Sequence, residues 1–218
     1  MITEYVTIPC GSIALEGILE RPNSLDESLP ATVVCHSHPL YGGNMQEAVT
    51  RTVATGLAER GMVCLRFNFR GVGRSEGTFG DAVDELDDVR AAIDFLERLD
   101  GIDMCRVVLA GFSFGCWVGL QAGSRDPRPS RLVGISPPVN GHDMSFLSKA
   151  ERPILLIAGE KDDRYCSEHT FKEFVESIPE PKRAVILPES DHFHKGREDQ
   201  VVREINRFLG SYPWNTIG

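Results

Sequence analysis

The sequence predicts an α/β fold in which helices cover both faces of a mostly parallel β-sheet. Short apolar segments rich in β-branched residues alternate with longer segments of helical periodicity, which is typical of parallel strands and their connecting helices. The chain has 218 residues, of which 41 % are hydrophobic, enough for one domain with a full core. No repeat or low-complexity segment interrupts it, so we expect a single domain spanning residues 1–218.

The chain opens with two predicted strands. Residues 3–9 and 12–20 alternate or carry β-branched side chains on either side of a Pro-Cys-Gly-Ser turn, which predicts an antiparallel hairpin. A polar loop is expected at 23–30. Apolar, buried-type strands are then predicted at 31–35, 62–69, 107–112, 131–135, 153–158 and 183–187. Helices are predicted at 45–60, at 81–99, directly after residue 113, at 167–177 and at 196–209.

The predicted helix at 81–99 is amphipathic, with one apolar stripe formed by Leu86, Val89, Ile93 and Leu96. Its acidic side chains are concentrated in the first two turns, where negative charge suits the helix dipole. We therefore interpret these acids as solvated helix residues rather than as a metal site.

Composition and charge argue against several classes of partner. The formal net charge is −9 and no basic stripe occurs, so a nucleic-acid partner is not expected. No apolar run approaches the roughly 18 residues that span a bilayer, and the N-terminus lacks the pattern of a signal peptide. The six cysteines include no C-x-x-C pair and several lie in apolar strands, which indicates reduced, mostly buried thiols. We expect a cytoplasmic protein without a membrane partner.

A glycine-serine-glycine segment joins the strand at 107–112 to the helix that follows it. Gly111, Ser113 and Gly115 form the pattern G-x-S-x-G. A serine on a sharp strand-to-helix turn has strained backbone angles, and bulk at the flanking positions would clash with the neighbouring strand or helix. The turn also places the serine at a helix N-terminus, where developing negative charge is favoured. The pattern therefore predicts a nucleophilic serine at position 113.

Other reactive side chains follow the remaining parallel strands. Because the carboxyl ends of parallel strands meet at one edge of a sheet, ligands bind there. The side chains that follow these strands are His36 and His38, Asp162 and Asp163, and His192 and His194. With Ser113 they supply a nucleophile, an acid and a base in the chain order Ser, Asp, His. A serine nucleophile needs a histidine to take its proton and a carboxylate to orient that histidine.

Several motifs resemble those of the α/β-hydrolase superfamily, in particular its small, cap-poor members near the dienelactone hydrolases. The similarity covers nearly all of the chain: the opening hairpin, the His-Ser-His-Pro-Leu-Tyr-Gly-Gly loop at 36–43, the Phe-Asn-Phe-Arg-Gly segment at 67–71, the G-x-S-x-G turn and the last two strand ends. The resemblance implies an α/β-hydrolase fold with about eight strands, the second antiparallel. Dienelactone hydrolases have a cysteine nucleophile, whereas this chain has Ser113, which favours serine esterase chemistry.

The resemblance also assigns the acid and the base. The family pattern Gly-x-x-Asp, after the penultimate strand, falls on Asp162. The adjacent Asp163 is the alternative, and we expect it to cap the next helix. The family pattern Asp-His-Phe falls on His192, with His194 as the competitor two residues later. His192 would act as the general base and Asp162 would orient it.

An oxyanion hole needs two N–H donors. The resemblance places one at Phe114, directly after the nucleophile, and the other in the loop after the first parallel strand. Pro39 has no N–H, so His38 and Leu40 are the candidates there, and the corresponding loop of dienelactone hydrolases favours Leu40. His36 and His38 have no third ligand at metal-binding spacing, so we expect them to support the loop, with no metal and no cofactor.

A glycine-rich loop at 71–77 has the spacing G-x-G-x-x-x-G, one residue away from a dinucleotide-binding fingerprint, and it follows a strand in the middle of the sheet. The α/β-hydrolase resemblance accounts for the same residues, so a nucleotide site is not expected. Arg70, which precedes the loop, is expected to bond loop carbonyls at the sheet edge.

The substrate expectation rests on the absence of a cap. Only residues 137–149 lie between the strand ending near 136 and the strand starting near 153, which is too short for a lid domain. We expect an open, shallow site for a small-molecule acyl ester, with apolar cover from Leu40, Tyr41, Phe114, Val139 and Phe193. The favoured function is a serine carboxylesterase with an acyl-enzyme intermediate. The alternatives are a peptidase, amidase or thioesterase on the same residues, or a non-catalytic binding module.

Overall fold

The computed structural model describes residues 1–23, 28–212 and 214. The strands are β1 Ile2–Cys10, β2 Ile13–Arg21, β3 Leu29–Cys35, β4 Val63–Phe67, β5 Ile102–Phe112, β6 Pro129–Ile135, β7 Ile154–Gly159 and β8 Lys182–Leu187. The helices are α1 Ala48–Ala58, α2 Glu85–Glu97, α3 Phe114–Arg125, α4 Glu168–Glu176 and α5 Glu198–Ser211. Every strand and helix predicted from the sequence is present, with its ends shifted by a few residues.

The differences from the predicted elements have local causes. The predicted helix at 81–99 begins only at Glu85, because Asp81 and Ala82 have left-handed backbone angles, with φ of 51° and 64°. Two 3-10 helices, Pro39–Tyr41 and Ser145–Lys149, were not predicted, since each is too short to show a period. Of the polar loop expected at 23–30, residues 24–27 lie outside the described residues.

The eight strands form one sheet in the order β1-β2-β4-β3-β5-β6-β7-β8. β2 runs antiparallel to β1 and to β4, and the other neighbouring strands pair in parallel. The expectation of about eight strands with the second antiparallel is therefore confirmed. This order places the carboxyl ends of β3, β5, β6, β7 and β8 side by side along one edge.

Helices cover both faces of the sheet, as predicted. Along β3, Val33 belongs to one buried cluster and Val34 to the other, as the two-residue period of a strand requires. α2, α3 and α4 close the first face with side chains such as Val89, Val118 and Phe171. α1 and α5 close the second face. The two buried layers hold the strand ends in fixed positions, and the candidate site is built on those ends.

The interpretation of the α2 acids as solvated is wrong for two of them. Asp88 is fully buried and pairs with Arg70, whose Nη2 lies 2.7 Å from Asp88 Oδ1 and whose backbone N–H donates to Asp88 Oδ2 at 2.9 Å. Glu85 is also buried and accepts the Gly80 N–H at 2.7 Å. Arg70 therefore bonds a helix carboxylate rather than the loop carbonyls expected for it. The helical pattern alone could not reveal a partner that arrives from a distant strand end.

The connection between β6 and β7 contains no lid. Residues 136–153 hold one 3-10 helix, Ser145–Lys149, and no other helix or strand. The expectation of no sizeable cap domain is confirmed. This connection therefore places no separate domain over the carboxyl edge of the sheet.

All six cysteines are free thiols, and five of them are buried, the exception being Cys105. Burial raises the pKa of the Cys35 and Cys116 thiols, so these thiols stay protonated at neutral pH. Within the described part of the chain, no helix is long and apolar enough to cross a membrane.

Candidate active site

Ser113 lies on a strained turn between β5 and α3, with φ 54° and ψ −114°. The flanking glycines make this turn possible. A Cβ on Gly111 would lie 2.1 Å from the Gly115 carbonyl oxygen, and a Cβ on Gly115 would lie 2.4 Å from the Cys35 carbonyl oxygen. The Ser113 N–H donates to the Ile135 carbonyl of β6 at 2.8 Å, which holds the turn against the sheet. The turn has the steric basis that the G-x-S-x-G spacing predicts.

Ser113, His192 and Asp162 form one hydrogen-bonded chain. The Ser113 Oγ lies 2.9 Å from His192 Nε2, and His192 Nδ1 lies 2.5 Å from Asp162 Oδ2. His192 is 7 % exposed and Asp162 is 2 % exposed. The structure thus brings together the three side chains that the sequence selected, from the ends of β5, β7 and β8. Asp162 fixes the proton of the imidazole on Nδ1 and leaves Nε2 free to accept from the serine.

The neighbouring Asp163 has a different position. Its side chain is exposed, and its carbonyl oxygen accepts from Asn140 Nδ2 at 3.0 Å. α4 is capped by Ser167, whose Oγ accepts the Thr170 N–H at 3.3 Å, so the expectation that Asp163 caps this helix is wrong. Asp162 differs because its Oδ1 faces inward and accepts the Tyr165 N–H at 3.2 Å.

His194, the competitor for the role of base, does not contact Ser113. Its ring is fully buried, with Nε2 2.9 Å from Ser136 Oγ and Nδ1 2.8 Å from Ser190 Oγ. Burial, with the nearby His192 as a smaller contribution, lowers the pKa of His194 to about 4. The two histidines of one loop therefore lie in separate environments.

The structure favours His38 over Leu40 as a free N–H donor. The Leu40 N–H already donates to the Nδ1 of the His38 ring at 3.2 Å, and the Leu40 side chain is 67 % exposed. The His38 N–H has no hydrogen-bond partner within residues 1–23, 28–212 and 214. Phe114 is the first residue of α3, so its N–H has no partner within the helix. The sequence does not show which way a backbone N–H points, and in the structure that of Leu40 points to the His38 ring.

The side chains of His36 and Glu47 hold the backbone on either side of Ser37, next to the His38 N–H. His36 Nδ1 donates to the Ser37 carbonyl at 2.6 Å, and His36 Nε2 accepts the Phe69 N–H at 3.0 Å. The Glu47 carboxylate accepts the Ser37 N–H at 2.8 Å and the Ser37 hydroxyl at 2.5 Å. Since the Ser37 carbonyl and the His38 N–H belong to one planar peptide, holding the carbonyl sets the direction of the N–H.

Both ring nitrogens of His36 are thus engaged by the backbone, in agreement with a supporting role. Burial lowers the pKa of His36 to about 3, so the ring stays neutral and its tautomer is fixed. Across the described ranges, no group of three or more His, Cys, Asp or Glu side chains is arranged to hold a metal ion.

A cavity of about 120 Å³ opens beside Ser113. It is lined by Ser37, His38, Tyr41, Ser113, Phe114, Pro138, His142, Tyr165, His192 and Phe193. Tyr41, Phe114 and Phe193 lie in this lining, as predicted. Leu40 and Val139 do not, and Pro138, which precedes Val139, lies there instead. The lining contains no Lys, Arg, Asp or Glu side chain. The site therefore fits a small, uncharged group next to the serine.

Tyr165 and His142 also line the cavity, and the sequence did not indicate either of them. The Tyr165 ring lies 4.4 Å from the His192 ring, and the His142 ring lies 4.3 Å from the ring of Trp117. Trp117 is one turn beyond Ser113 and its Nε1 donates to the Asp143 carbonyl at 3.1 Å, which holds the loop after β6 near the cavity. The only available signal was position, since each residue lies in a loop at the carboxyl edge of the sheet.

The glycine-rich loop at 71–77 packs against Glu16 of β2. A Cβ on Gly73 would lie 2.6 Å from Glu16 Oε2, which also accepts the Arg74 N–H at 2.9 Å. The Ser75 hydroxyl donates to the Asn68 carbonyl at 2.6 Å. A carboxylate against the loop disfavours phosphate there.

An eight-stranded sheet with this order, a serine on a strained turn and no lid define the class of lid-less α/β hydrolases. A model described as "Alpha/beta hydrolase family" matches residues 33–163, more than half of the chain. The uncharacterised protein RP471 of Rickettsia prowazekii (strain Madrid E) is 34 % identical over 188 residues, which cover 83 % of this chain and 78 % of RP471. The chain belongs to the α/β-hydrolase family.

Solved structures agree with this assignment. XC6422 from Xanthomonas campestris, described as an α/β serine hydrolase without lid, is 28 % identical with a TM-score of 0.84, covering 96 % of this chain and 94 % of XC6422. An α/β serine hydrolase homologue from Coxiella burnetii is 32 % identical with a TM-score of 0.84, covering 94 % of this chain and 98 % of the homologue. The resemblance stated from the sequence motifs is confirmed, including its cap-poor character.

Proposed function

We propose that the protein is a serine carboxylesterase that cleaves small acyl esters. The observation that carries the proposal is the hydrogen-bonded chain from Ser113 through His192 to Asp162, with 2.9 Å and 2.5 Å between the bonded atoms. The similarity to proteins described as serine hydrolases supports the same class of chemistry.

The acylation step follows from this geometry. Ser113 Oγ attacks the carbonyl carbon of the ester while His192 Nε2 takes the hydroxyl proton, and Asp162 stabilises the imidazolium that forms. The carbonyl oxygen becomes an oxyanion, which accepts hydrogen bonds from the N–H groups of His38 and Phe114. When the tetrahedral intermediate collapses, the alcohol leaves with the proton from His192, and the acyl group remains on Ser113.

Deacylation repeats the same steps with water as the nucleophile. His192 takes a proton from the water, which attacks the acyl carbonyl, and returns this proton to Ser113 Oγ as the acid leaves. No group other than the described side chains and the two N–H donors is needed for either half-reaction.

The cavity supports a short, uncharged acyl group. Its volume is about 120 Å³, and rings such as Tyr41, Phe114 and Phe193 supply most of its walls without any charged side chain. A thioester or an activated amide could react through the same groups. A peptidase is disfavoured because the β6–β7 connection contains no domain to select a peptide.

A non-catalytic binding module is disfavoured by the strain at Ser113. Its left-handed φ of 54° costs on the order of 1–3 kcal/mol for a non-glycine residue. A binding module has no need for a strained serine aimed at a histidine, whereas a nucleophile does.

We also propose a cytoplasmic location. The six free thiols, five of them buried, suit a reducing compartment, where disulfides are rare. Localisation of the tagged protein by cell fractionation would test this separately from the activity.

The test of the function is hydrolysis of p-nitrophenyl acetate and p-nitrophenyl butyrate, with a fluorophosphonate probe in parallel. We expect turnover and labelling confined to Ser113, and we expect both to disappear in Ser113→Ala. Ser124→Ala, on the same helix but outside the cavity, is the matched control and should keep both signals. Labelling of another serine, or unchanged turnover in Ser113→Ala, would refute the proposed mechanism.

A further inference from the structure

Three buried polar side chains form a second hydrogen-bonded chain behind His192. Ser136 and His194 are 0 % exposed, and Ser190 is 1 % exposed. The Ser136 Oγ lies 2.8 Å from the His192 carbonyl oxygen and 2.9 Å from His194 Nε2, while His194 Nδ1 lies 2.8 Å from Ser190 Oγ. The chain thus ends on the backbone of the residue proposed as the general base.

The protons of this chain can be assigned from its acceptors. The His192 carbonyl can only accept, so the Ser136 hydroxyl donates its proton there. Ser136 Oγ must then accept from His194 Nε2–H, which leaves His194 Nδ1 to accept from the Ser190 hydroxyl. Burial keeps His194 neutral at neutral pH, so these donor and acceptor roles do not change there.

The backbone at this chain is strained. Ser136 and His194 both have left-handed φ angles, 47° and 50°, which non-glycine residues adopt at a cost. Such conformations persist only where the surrounding contacts fix them. Because Ser136 and His194 are both strained and are joined by a buried hydrogen bond, we infer that the contacts hold the backbone here in one conformation.

The chain joins three strand ends. Ser136 follows β6, while Ser190 and His194 follow β8. The β7 end is attached to the same group, since the Lys161 N–H donates to the Ser190 carbonyl at 2.8 Å. A Cβ on Gly159 would lie 2.5 Å from the same carbonyl oxygen. The position of His192 relative to Asp162 therefore depends on these contacts.

We propose that His194 is a positioning residue for the general base: through Ser136 it holds the His192 backbone so that the imidazole stays between Asp162 and Ser113. The inference rests on the proposed function. His194 is not itself a catalytic residue, because it does not line the cavity and its two ring nitrogens are engaged by serine hydroxyls.

The environment of His192 makes a pH profile informative. The titratable groups that face it are Asp162 on Nδ1, Tyr165 against its ring, Glu47 at the start of α1, and His194 behind its backbone. A neutral replacement of the neutral His194 changes no charge among them. The Asp162–His192 bond stabilises the imidazolium. A shift of the acid limb of the pH–rate profile would therefore indicate that this bond has loosened.

The first variant pair is His194→Phe and His194→Gln, with p-nitrophenyl acetate as substrate. We expect His194→Phe to lower kcat about 10-fold to 100-fold, with KM within about 2-fold, because a displaced base loses its near-attack geometry. The acid limb of both kcat/KM and the fluorophosphonate labelling rate should move to lower pH. His194→Gln keeps a donor toward Ser136 and should recover most of kcat. His169→Phe, an exposed histidine on α4, is the matched control.

The second variant separates positioning from stability. Glycine adopts a φ of 47° without strain, and in Ser136→Gly this relief offsets part of the cost of removing the hydroxyl that bonds the His192 carbonyl and His194 Nε2. We expect its kcat to fall like that of His194→Phe. The proposal does not then depend on whether His194→Phe folds.

The outcomes are distinct. If wild-type Ser113 is labelled but His194→Phe and Ser136→Gly keep the wild-type labelling rate and pH profile per folded molecule, the positioning role is refuted and the proposed function stands. If wild-type Ser113 is not labelled and no ester turns over, the proposed function has failed and this inference fails with it. A fall in kcat with a shifted acid limb in both variants supports the inference.

Discussion

The two sides of Ser113 are built from different kinds of groups. On the base side, which consists of the loops carrying Asp162 and His192, the proposed working groups are side chains. On the oxyanion side, which consists of residues 36–43, the proposed working group is a backbone N–H, and the side chains of His36 and Glu47 only direct it. A substitution on the base side removes a reacting group, whereas one on the oxyanion side only displaces a donor. We therefore expect larger losses on the base side.

The largest effect is expected for Asp162→Asn. The amide can donate to His192 Nδ1 and so favours the tautomer in which Nε2 carries the proton and cannot accept from Ser113. We expect kcat for p-nitrophenyl acetate to fall about 10³-fold to 10⁴-fold with the fold retained by circular dichroism. Asp163→Asn, at the exposed neighbouring position, is the control and should stay within about 2-fold. Equal effects at the two positions would contradict the assignment of the acid.

The pH dependence of folding tests a feature that both sides share. Each side contains a buried neutral histidine, His36 with its pKa lowered by burial to about 3 and His194 with its pKa lowered to about 4. Below pH of about 6.5 the unfolded chain binds protons at these residues while the folded chain does not, so the free energy of unfolding should fall as the pH falls toward 4.

The loss should amount to about 2–4 kcal/mol for each histidine, roughly 10²-fold in the unfolding equilibrium. Urea unfolding of the wild type, His36→Asn and His194→Gln between neutral and mildly acidic pH measures it. Each variant should show a shallower dependence on pH than the wild type. An unchanged slope in both variants would mean that other groups control acid stability.

On the oxyanion side, Glu47→Ala should have an intermediate effect. The substitution removes the acceptor for the Ser37 N–H and hydroxyl, so Ser37, whose carbonyl shares a peptide with the His38 N–H, is held less firmly. We expect kcat to fall about 10-fold to 100-fold, less than or equal to the loss of a whole oxyanion donor, with KM nearly unchanged. Glu59→Ala, at the other end of α1, should leave both parameters at wild-type values. A larger loss than in Asp162→Asn would invert the comparison.

Much of this architecture could be predicted because it depends on local patterns. The strands and helices follow from their apolar periods, and the turn at Ser113 follows from the two glycines that its sterics require. Position after a strand left Asp163 and His194 open as alternatives, and the resemblance to the family patterns Gly-x-x-Asp and Asp-His-Phe selected Asp162 and His192.

What the sequence did not indicate depends on direction and on distant partners. The pattern of α2 marks Asp88 as a surface acid, and only the fold brings Arg70 against it. Val139 and Pro138 are adjacent, and only the path of the loop decides which one faces the cavity. In the same way, Leu40 and His38 both carry an N–H, and the 3-10 helix at Pro39–Tyr41 turns that of Leu40 toward the His38 ring.

The smallest effect is expected where the Leu40 N–H is removed. Replacing residue 40 by the α-hydroxy analogue of leucine converts its amide to an ester and deletes the N–H without adding bulk. We expect kcat to stay within about 3-fold, because that N–H bonds a ring rather than the substrate. The same replacement at position 38 should lower kcat about 10²-fold to 10³-fold. The reverse order of effects would restore Leu40 as the donor.

The most direct measurement of the central claim is mass spectrometry of the protein quenched with acid during turnover of p-nitrophenyl butyrate. Because p-nitrophenoxide is a good leaving group, we expect acylation to be faster than deacylation. A butyryl group should then accumulate on the peptide that contains Ser113, and p-nitrophenol should appear in a burst equal to the amount of enzyme. We predict acylation of Ser113 alone, absent in Ser113→Ala. Turnover without an acylated Ser113, or acylation of another residue that supports turnover, would contradict the account.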